Sequence, residues 1–449
     1  MTHNVLWSRA ATVLASAALF AAAAPSTAKP DPSSAPLRLD RGFGSRGLLR
    51  SIAVGGERLD IVNAIAIDGL GRIVVAGLHV LPERGGPGTP RPDRTAVARL
   101  LPDGRRDLAF GGDGLVVLPE SGFVRGLAVD AQRRVILCGS FGTAAGTGTA
   151  AESVHLLRLR EDGSPDPEFA GDGTTALPSR WASPRSVRTD PTSGALYLAA
   201  VDASDAALRD GVVRVTAQGE FDPSFGDLGF AAAGSSVHDV AVDGLGRVLS
   251  AADEGVRRFT TAGAPDTSAG TDGFLHGPHR GAILGRAVRI SDSGRILVLG
   301  TEQGSDTTQI FRFLPSGAVD PVFGEGGFAT PPLGLPRGFA GSLAAIAPIP
   351  GPGERIQLLR TMGSDGSRPR LPRAAGAAVQ AFDHFDVENV RTLSQRFGRR
   401  RDGAGVSPDG LAVTADGTAA IVALTVRTSA SRSPSGGFAP VLFRIDLTK

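Results

Sequence analysis

Apolar residues fall along this chain in short runs, each closed by Gly, Pro or Asp, and no segment sustains the 3.6-residue period of a helix. Runs of this length between turn-forming residues read as β-strands. Four kinds recur in a fixed order. The first is small and apolar and ends on Asp: Ala-Ile-Ala-Ile-Asp at 64–68, Leu-Ala-Val-Asp at 127–130, Val-Ala-Val-Asp at 240–243. A tight turn such as Asp68-Gly69-Leu70-Gly71 leads into a second run, apolar after its leading Arg, as at 72–77 and 295–300. The third alternates and carries an Arg, as in Val97-Ala98-Arg99-Leu100 and Phe311-Arg312-Phe313. A polar block and a short fourth run such as 115–118 complete the set.

The polar block reads Asp-x-x-Phe-Gly-x-x-Gly. It starts at Asp40, Asp107, Asp166, Asp222, Asp266 and Asp320, with Ala269 in place of the Phe in the fifth copy. A seventh, worn copy reads Ser-Gln-Arg-Phe-Gly from Ser394. The spacing is far above the periods of β-helices and leucine-rich solenoids and near that of kelch-like units. Four strands in each of seven units predict an all-β fold, a seven-bladed β-propeller of four-stranded antiparallel blades. A six-bladed ring with an irregular insertion around 335–400 is the other arrangement the spacing allows.

The chain opens on a block and a fourth strand and closes on a third strand, Leu442-Phe443-Arg444-Ile445-Asp446. Ring closure by the N-terminal strand, residues 48–54 on 440–446, would cover two exposed sheet edges. In five units an Arg precedes the block Asp by eight residues: Arg99 and Asp107, Arg158 and Asp166, Arg214 and Asp222, Arg258 and Asp266, Arg312 and Asp320. Closure would add Arg444 with Asp40. These pairs are expected to bridge within each blade, and Phe110, Phe169, Phe225 and Phe323 to plug the gaps between blades.

The block, then apolar-Asp-x-x-Gly-Arg with an apolar run, then Arg-Leu-x-x-x-Gly, resembles the delta-60 repeat over roughly residues 37–448. That family comprises exported bacterial β-propellers close in layout to NHL-type propellers. The resemblance implies fold and export, and no particular activity. The fifth and seventh units depart from its pattern.

Residues 1–28 read as an export signal: Arg9, an apolar run at 10–24 too short to span a bilayer comfortably, and small residues at 26–28. Residues 29–36 form a short linker and 37–449 one propeller domain. The expected location is therefore periplasmic or extracellular. The net charge of +2 falls to +1 once Arg9 is removed, so no basic footprint for nucleic acid exists. Cys138 stands alone in an apolar run and reads as a buried, inert thiol. Gly42-x-Gly44-x-x-Gly47 matches a dinucleotide fingerprint, but no βαβ unit surrounds it. The Asp-bearing loops offer too few oxygens for calcium, and His276 and His279 have no third partner. No cofactor and no metal is expected.

Specificity should lie where the units differ. The long connections 78–95, 140–153, 201–211, 362–376 and 425–440 share one face, as binding-face insertions do. Five residues before the end of the first strand stand Asn63, Arg125, Arg185, His238 and Arg286. Ringing a channel mouth, they would suit an anionic ligand. The expected function is a non-catalytic exported binding scaffold, a monomer without a membrane span, whose partner is an extracellular protein or an anionic carbohydrate. The alternative is a hydrolase or lyase acting on sugars or lactones in the channel. It is disfavoured by the scarcity of Asn and Glu at the inner strand starts.

Overall fold

The computed structural model describes residues 38–80, 93–142, 154–178, 181–202, 210–234, 236–305, 307–330, 339–340, 343–350, 355–364, 375–383, 386–397, 406–427 and 438–448. The expected leader and linker lie outside these residues, as does most of each long connection. Among the described residues there is no α-helix, and one 3-10 turn at Thr271–Gly273.

The strands form antiparallel meanders. Trp181–Thr189, Leu196–Asp202, Asp210–Val215 and Phe230–Gly234 make one four-stranded sheet. The strands beginning at Asp239 and at Ile283 open two more of the same order. The second strand of each meander is apolar because both of its faces meet neighbouring sheets. Ile73–His79 is buried at every position, and Val75 and Val74 belong to different core clusters. Where the first strand ends on Asp, that Asp makes the following turn. Asp68 Oδ1 accepts the N–H groups of Leu70 and Arg72, each at 2.9 Å, and Gly71 takes a φ of +76°. The fold is a β-propeller of four-stranded antiparallel blades.

Three expectations need correction. Among the described residues the strands form six sheets of four or more strands, not seven separate ones. One of them is seven-stranded, because Leu115–Val129 runs unbroken from the outside of one meander to the inside of the next. Residues 48–54 do not all lie on 440–446. Leu48–Leu49 pairs with Phe443 and Leu442, and Arg38–Leu39 with Asp446 and Ile445. Ile52–Val54 turns away at Gly55-Gly56 to form a separate hairpin with Glu57–Leu59. The worn block at Ser394 is no turn at all. Its residues Ser394 to Phe397 lie inside the strand Asp386–Phe397, with Ser394 opposite Ala378. Without the block Asp, nothing caps a turn there, and the segment continues as a sheet edge.

The Arg-Asp-Phe block joins neighbouring meanders. The Nε of Arg99, Arg158, Arg214, Arg258 and Arg312 stands 2.7–2.9 Å from the Asp eight residues on. Arg444 Nε lies 3.2 Å from Asp40, within ion-pair distance but off hydrogen-bond alignment. The same Asp accepts an N–H two residues later, as from Ser224 at 3.0 Å. Four of these guanidiniums, those of Arg99, Arg158, Arg214 and Arg312, also lie over the block Phe, 4.5 Å from the Phe169 centroid for Arg158 and 4.8 Å from Phe110 for Arg99.

The Nη1 groups reach into the next repeat. Arg214 donates to the Thr261 carbonyl and Arg258 to that of Pro315, both at 2.7 Å. Arg99, Arg158 and Arg444 do the same to Glu161, Ala217 and Pro102. A glycine of that next turn rests on the Phe ring: a Cβ on Gly104 would fall 2.8 Å from Phe43, and one on Gly219 2.9 Å from Phe169. The block therefore works between meanders as well as within them.

Candidate functional site

The first strand of each repeat contacts the first strand of the next. The contacts run from Ile61–Ile67 through Leu115–Val129, Trp181–Thr189, Asp239–Val242, Ile283–Ile290, Leu343–Pro348 and Val406–Val413, and the last also touches Ile61–Ile67. Close approach demands small residues there. A Cβ on Gly410 would lie 2.4 Å from Ile65 Cγ2, and one on Gly126 3.2 Å from the Ser186 Cα.

These inner strands share an irregularity. Pairing with the second strand slips between Val62 and Ala64, between Val124 and Gly126, and between Gly285 and Ala287. The slipped residues are Asn63, Arg125 and Arg286. A wider slip between Ala182 and Ser186 contains Arg185. His238 stands just before Asp239–Val242 and donates its N–H to the Ala251 carbonyl at 2.9 Å. The equivalent slips on the remaining two inner strands fall at Ala344 and Asp409. A bulge leaves one residue unpaired and re-aims its side chain. Four of the five residues selected from spacing thus share one structural position, and His238 stands just before a strand whose pairing is regular.

Their surroundings differ. Arg125 is exposed and has no ion pair among the described residues. Arg185 Nη1 lies 3.5 Å from Asp210 and 3.4 Å from the Val237 carbonyl. Arg286 Nη1 lies 3.0 Å from Asp253, and His238 Nε2 lies between these two groups, 3.0 Å from Asp253 Oδ1. Burial raises the Asp253 pKa, but the bonds from His238 and the charge of Arg286 outweigh it and hold the carboxyl below its ordinary value. The Asn63 Oδ1 is buried without a hydrogen-bond partner. Most of each of the five long connections proposed for this face lies outside the described residues.

Spacing missed three residues. Arg188, Asp239 and Arg289 come from three successive inner strands and meet. Asp239 Oδ1 accepts from Arg188 Nη2 at 2.9 Å and from Ser186 Oγ at 2.8 Å. Asp239 Oδ2 accepts from Arg289 Nη1 and from the Val288 N–H at 3.2 Å. The only signal in the sequence is negative. Arg, Asp and Arg stand where the other units carry Ala, Gly or Ser.

Cys138 is buried, and burial pushes its thiol up to about 12, which leaves it inert at neutral pH. No group of three or more His, Cys, Asp or Glu placed to hold a metal occurs among the described residues. No helix among them is long and apolar enough to cross a membrane.

The sequence matches no protein-family profile and no curated protein. Several solved structures are similar to it over most of its length. The Dos1 propeller is 12% identical, with a TM-score of 0.42, over 91% of this chain and 95% of its own. A protein from Lactobacillus plantarum is 13% identical, with a TM-score of 0.41, over 84% and 96%. The calcium-binding protein regucalcin from Agrobacterium tumefaciens is 13% identical, with a TM-score of 0.35, over 72% and 88%.

Proposed function

We propose that this chain is an exported, non-catalytic binding propeller that takes an anionic ligand or partner at the mouth of a central channel. The observation that carries this reading is the shared bulge position of Arg125, Arg185 and Arg286 on three inner strands, with His238 just before the strand between the last two. Guanidinium groups re-aimed by bulges suit carboxylate, phosphate or sulfate groups.

The ring itself is read as seven blades closed on the N-terminus. The seven-stranded sheet counts as two blades sharing Leu115–Val129, and the sheet of Val406–Val413 takes its outer strand from Leu48–Leu49. The unbroken cycle of inner-strand contacts supports this count. Export rests on residues 1–28, and the delta-60 resemblance on the repeated block. The mature protein acts as a monomer.

The test is a thermal-shift panel of acidic oligosaccharides, led by trigalacturonate, on the mature protein and on Arg125→Gln and Arg286→Gln. Stabilisation by the acidic compounds, weakened in both variants, is expected. Equal responses to acidic and neutral oligosaccharides would defeat the reading. N-terminal sequencing of the exported protein should begin at Lys29.

A further inference from the structure

Three residues after the bulge, or after His238 where the strand has none, most inner strands carry the same residue. Five of them carry alanine there: Ala66, Ala128, Ala241, Ala347 and Ala412. Trp181–Thr189 and Ile283–Ile290 carry Arg188 and Arg289 instead. One residue after the bulge the side chains are equally small, apart from Asp239. Convergence of the strands explains the small residues. It does not explain two arginines and an aspartate on three adjacent strands.

The arrangement leaves positive charge in excess. Both Asp239 oxygens are fully engaged, each by one guanidinium and one further donor. Burial opposes ionisation of Asp239, yet Arg289 and Arg188 hold its pKa below the ordinary value, so the carboxylate stays charged. One negative charge therefore faces two positive ones. Arg188 and Arg289 remain 27% and 30% exposed, although they sit on the innermost strands. Each spends Nη1 on the carbonyl of the residue before it, at 2.8 and 2.7 Å. Arg188 Nε, Arg289 Nε and Arg289 Nη2 make no hydrogen bond among the described residues, and none is a buried orphan. These donors are left for a further acceptor.

We propose that Arg188 and Arg289 form a subsite for one carboxylate group of a small acidic ligand, with Asp239 setting the spacing of the two guanidiniums. A single negative charge neutralises the excess. A phosphate dianion would add a net negative charge beside the buried Asp239 carboxylate, so the site selects carboxylate over phosphate. This deepens the binding reading above and rests on it for the route by which the ligand enters.

The probe is galacturonate, titrated calorimetrically into the mature protein, with neutral galactose and inorganic phosphate at pH 8 as comparisons. Galacturonate should bind at least tenfold more tightly than either. Arg188→Lys and Arg289→Lys keep the charge but lose the planar fork, and each should weaken galacturonate about tenfold. Equal affinity in both variants overturns the proposal, as does phosphate binding as tightly as galacturonate. Should a variant fail to fold, a crystal of the unaltered protein soaked in galacturonate decides. A carboxylate between Arg188 and Arg289 supports the subsite, and one bound elsewhere, or none, overturns it. Trigalacturonate binding that depends on Arg125 and Arg286, without any galacturonate binding, removes this subsite alone and leaves the channel-mouth reading standing.

Discussion

Arg444 and Pro102 lie 342 residues apart, and the Arg444 Nη1 donates to the Pro102 carbonyl oxygen. The same Arg-to-carbonyl contact joins Arg214 to Thr261 and Arg258 to Pro315, between repeats consecutive in the chain. At all three contacts the carbonyl lies three residues after the next repeat's Arg. The chain ends thus use the joint that links their neighbours.

On the closed-ring reading, a residue at that terminal joint carries the same load as one inside the chain. Phe43 and Phe169 are both fully buried under a neighbouring turn. Phe43→Ala and Phe169→Ala should each cost about 3–5 kcal/mol in denaturant unfolding. A cost for Phe43→Ala below about 1 kcal/mol, the range of ordinary surface changes, would mean that the N-terminal segment is only loosely attached.

The block pairs differ in burial, and their worth should follow. Arg158 and Asp166 are each 2% exposed, whereas Arg214 and Asp222 are 18% and 19% exposed. Asp166→Ala strands a buried guanidinium and should cost about 3–5 kcal/mol. Asp222→Ala leaves Arg214 nearer water and should cost less. Melting curves of the two variants measure the order, and an unchanged melting temperature in Asp222→Ala would remove the bridge from the stability argument.

Restoring the consensus in the fifth unit should not help. A Cβ on Gly317 would fall 2.8 Å from the Ala269 Cα, so the next turn has settled onto the backbone where other units hold a ring. Ala269→Phe is therefore overpacked and should destabilise by about 1–3 kcal/mol in chemical denaturation.

Glu161 gives the fold an acid dependence. Hydrogen bonds from Arg133 and Arg72 hold its pKa at about 2, against an ordinary 4.5. The folded pKa is depressed, so its stabilisation is complete above about pH 4.5 and is lost as pH falls toward 2. The side chain is 38% exposed, and solvent screening limits the contribution to under about 1 kcal/mol. Glu161→Gln should lower the melting temperature at pH 6, and the gap to the unaltered protein should close as pH approaches 2.

The repeat unit was legible because its signals are local. The turn at Asp68 is made within five residues, and each Arg-to-Asp contact within nine. Asn63, Arg125, Arg185, His238 and Arg286 could be grouped for the same reason, since they keep a constant offset from the end of their strand. The worn block at Ser394 misled because Phe and Gly alone resemble the motif, while the Asp that caps the turn is missing.

The sequence by itself determined the strands, their order within a unit and the chemistry of the block, all set by neighbours a few residues away. Only the tertiary structure decided which repeats touch, where the strand between two meanders runs on, and how far the N-terminal segment pairs. It alone brought Arg188, Asp239 and Arg289 together. Their meeting depends on three strands arriving side by side, and no spacing along the chain encodes a distance between strands of separate repeats.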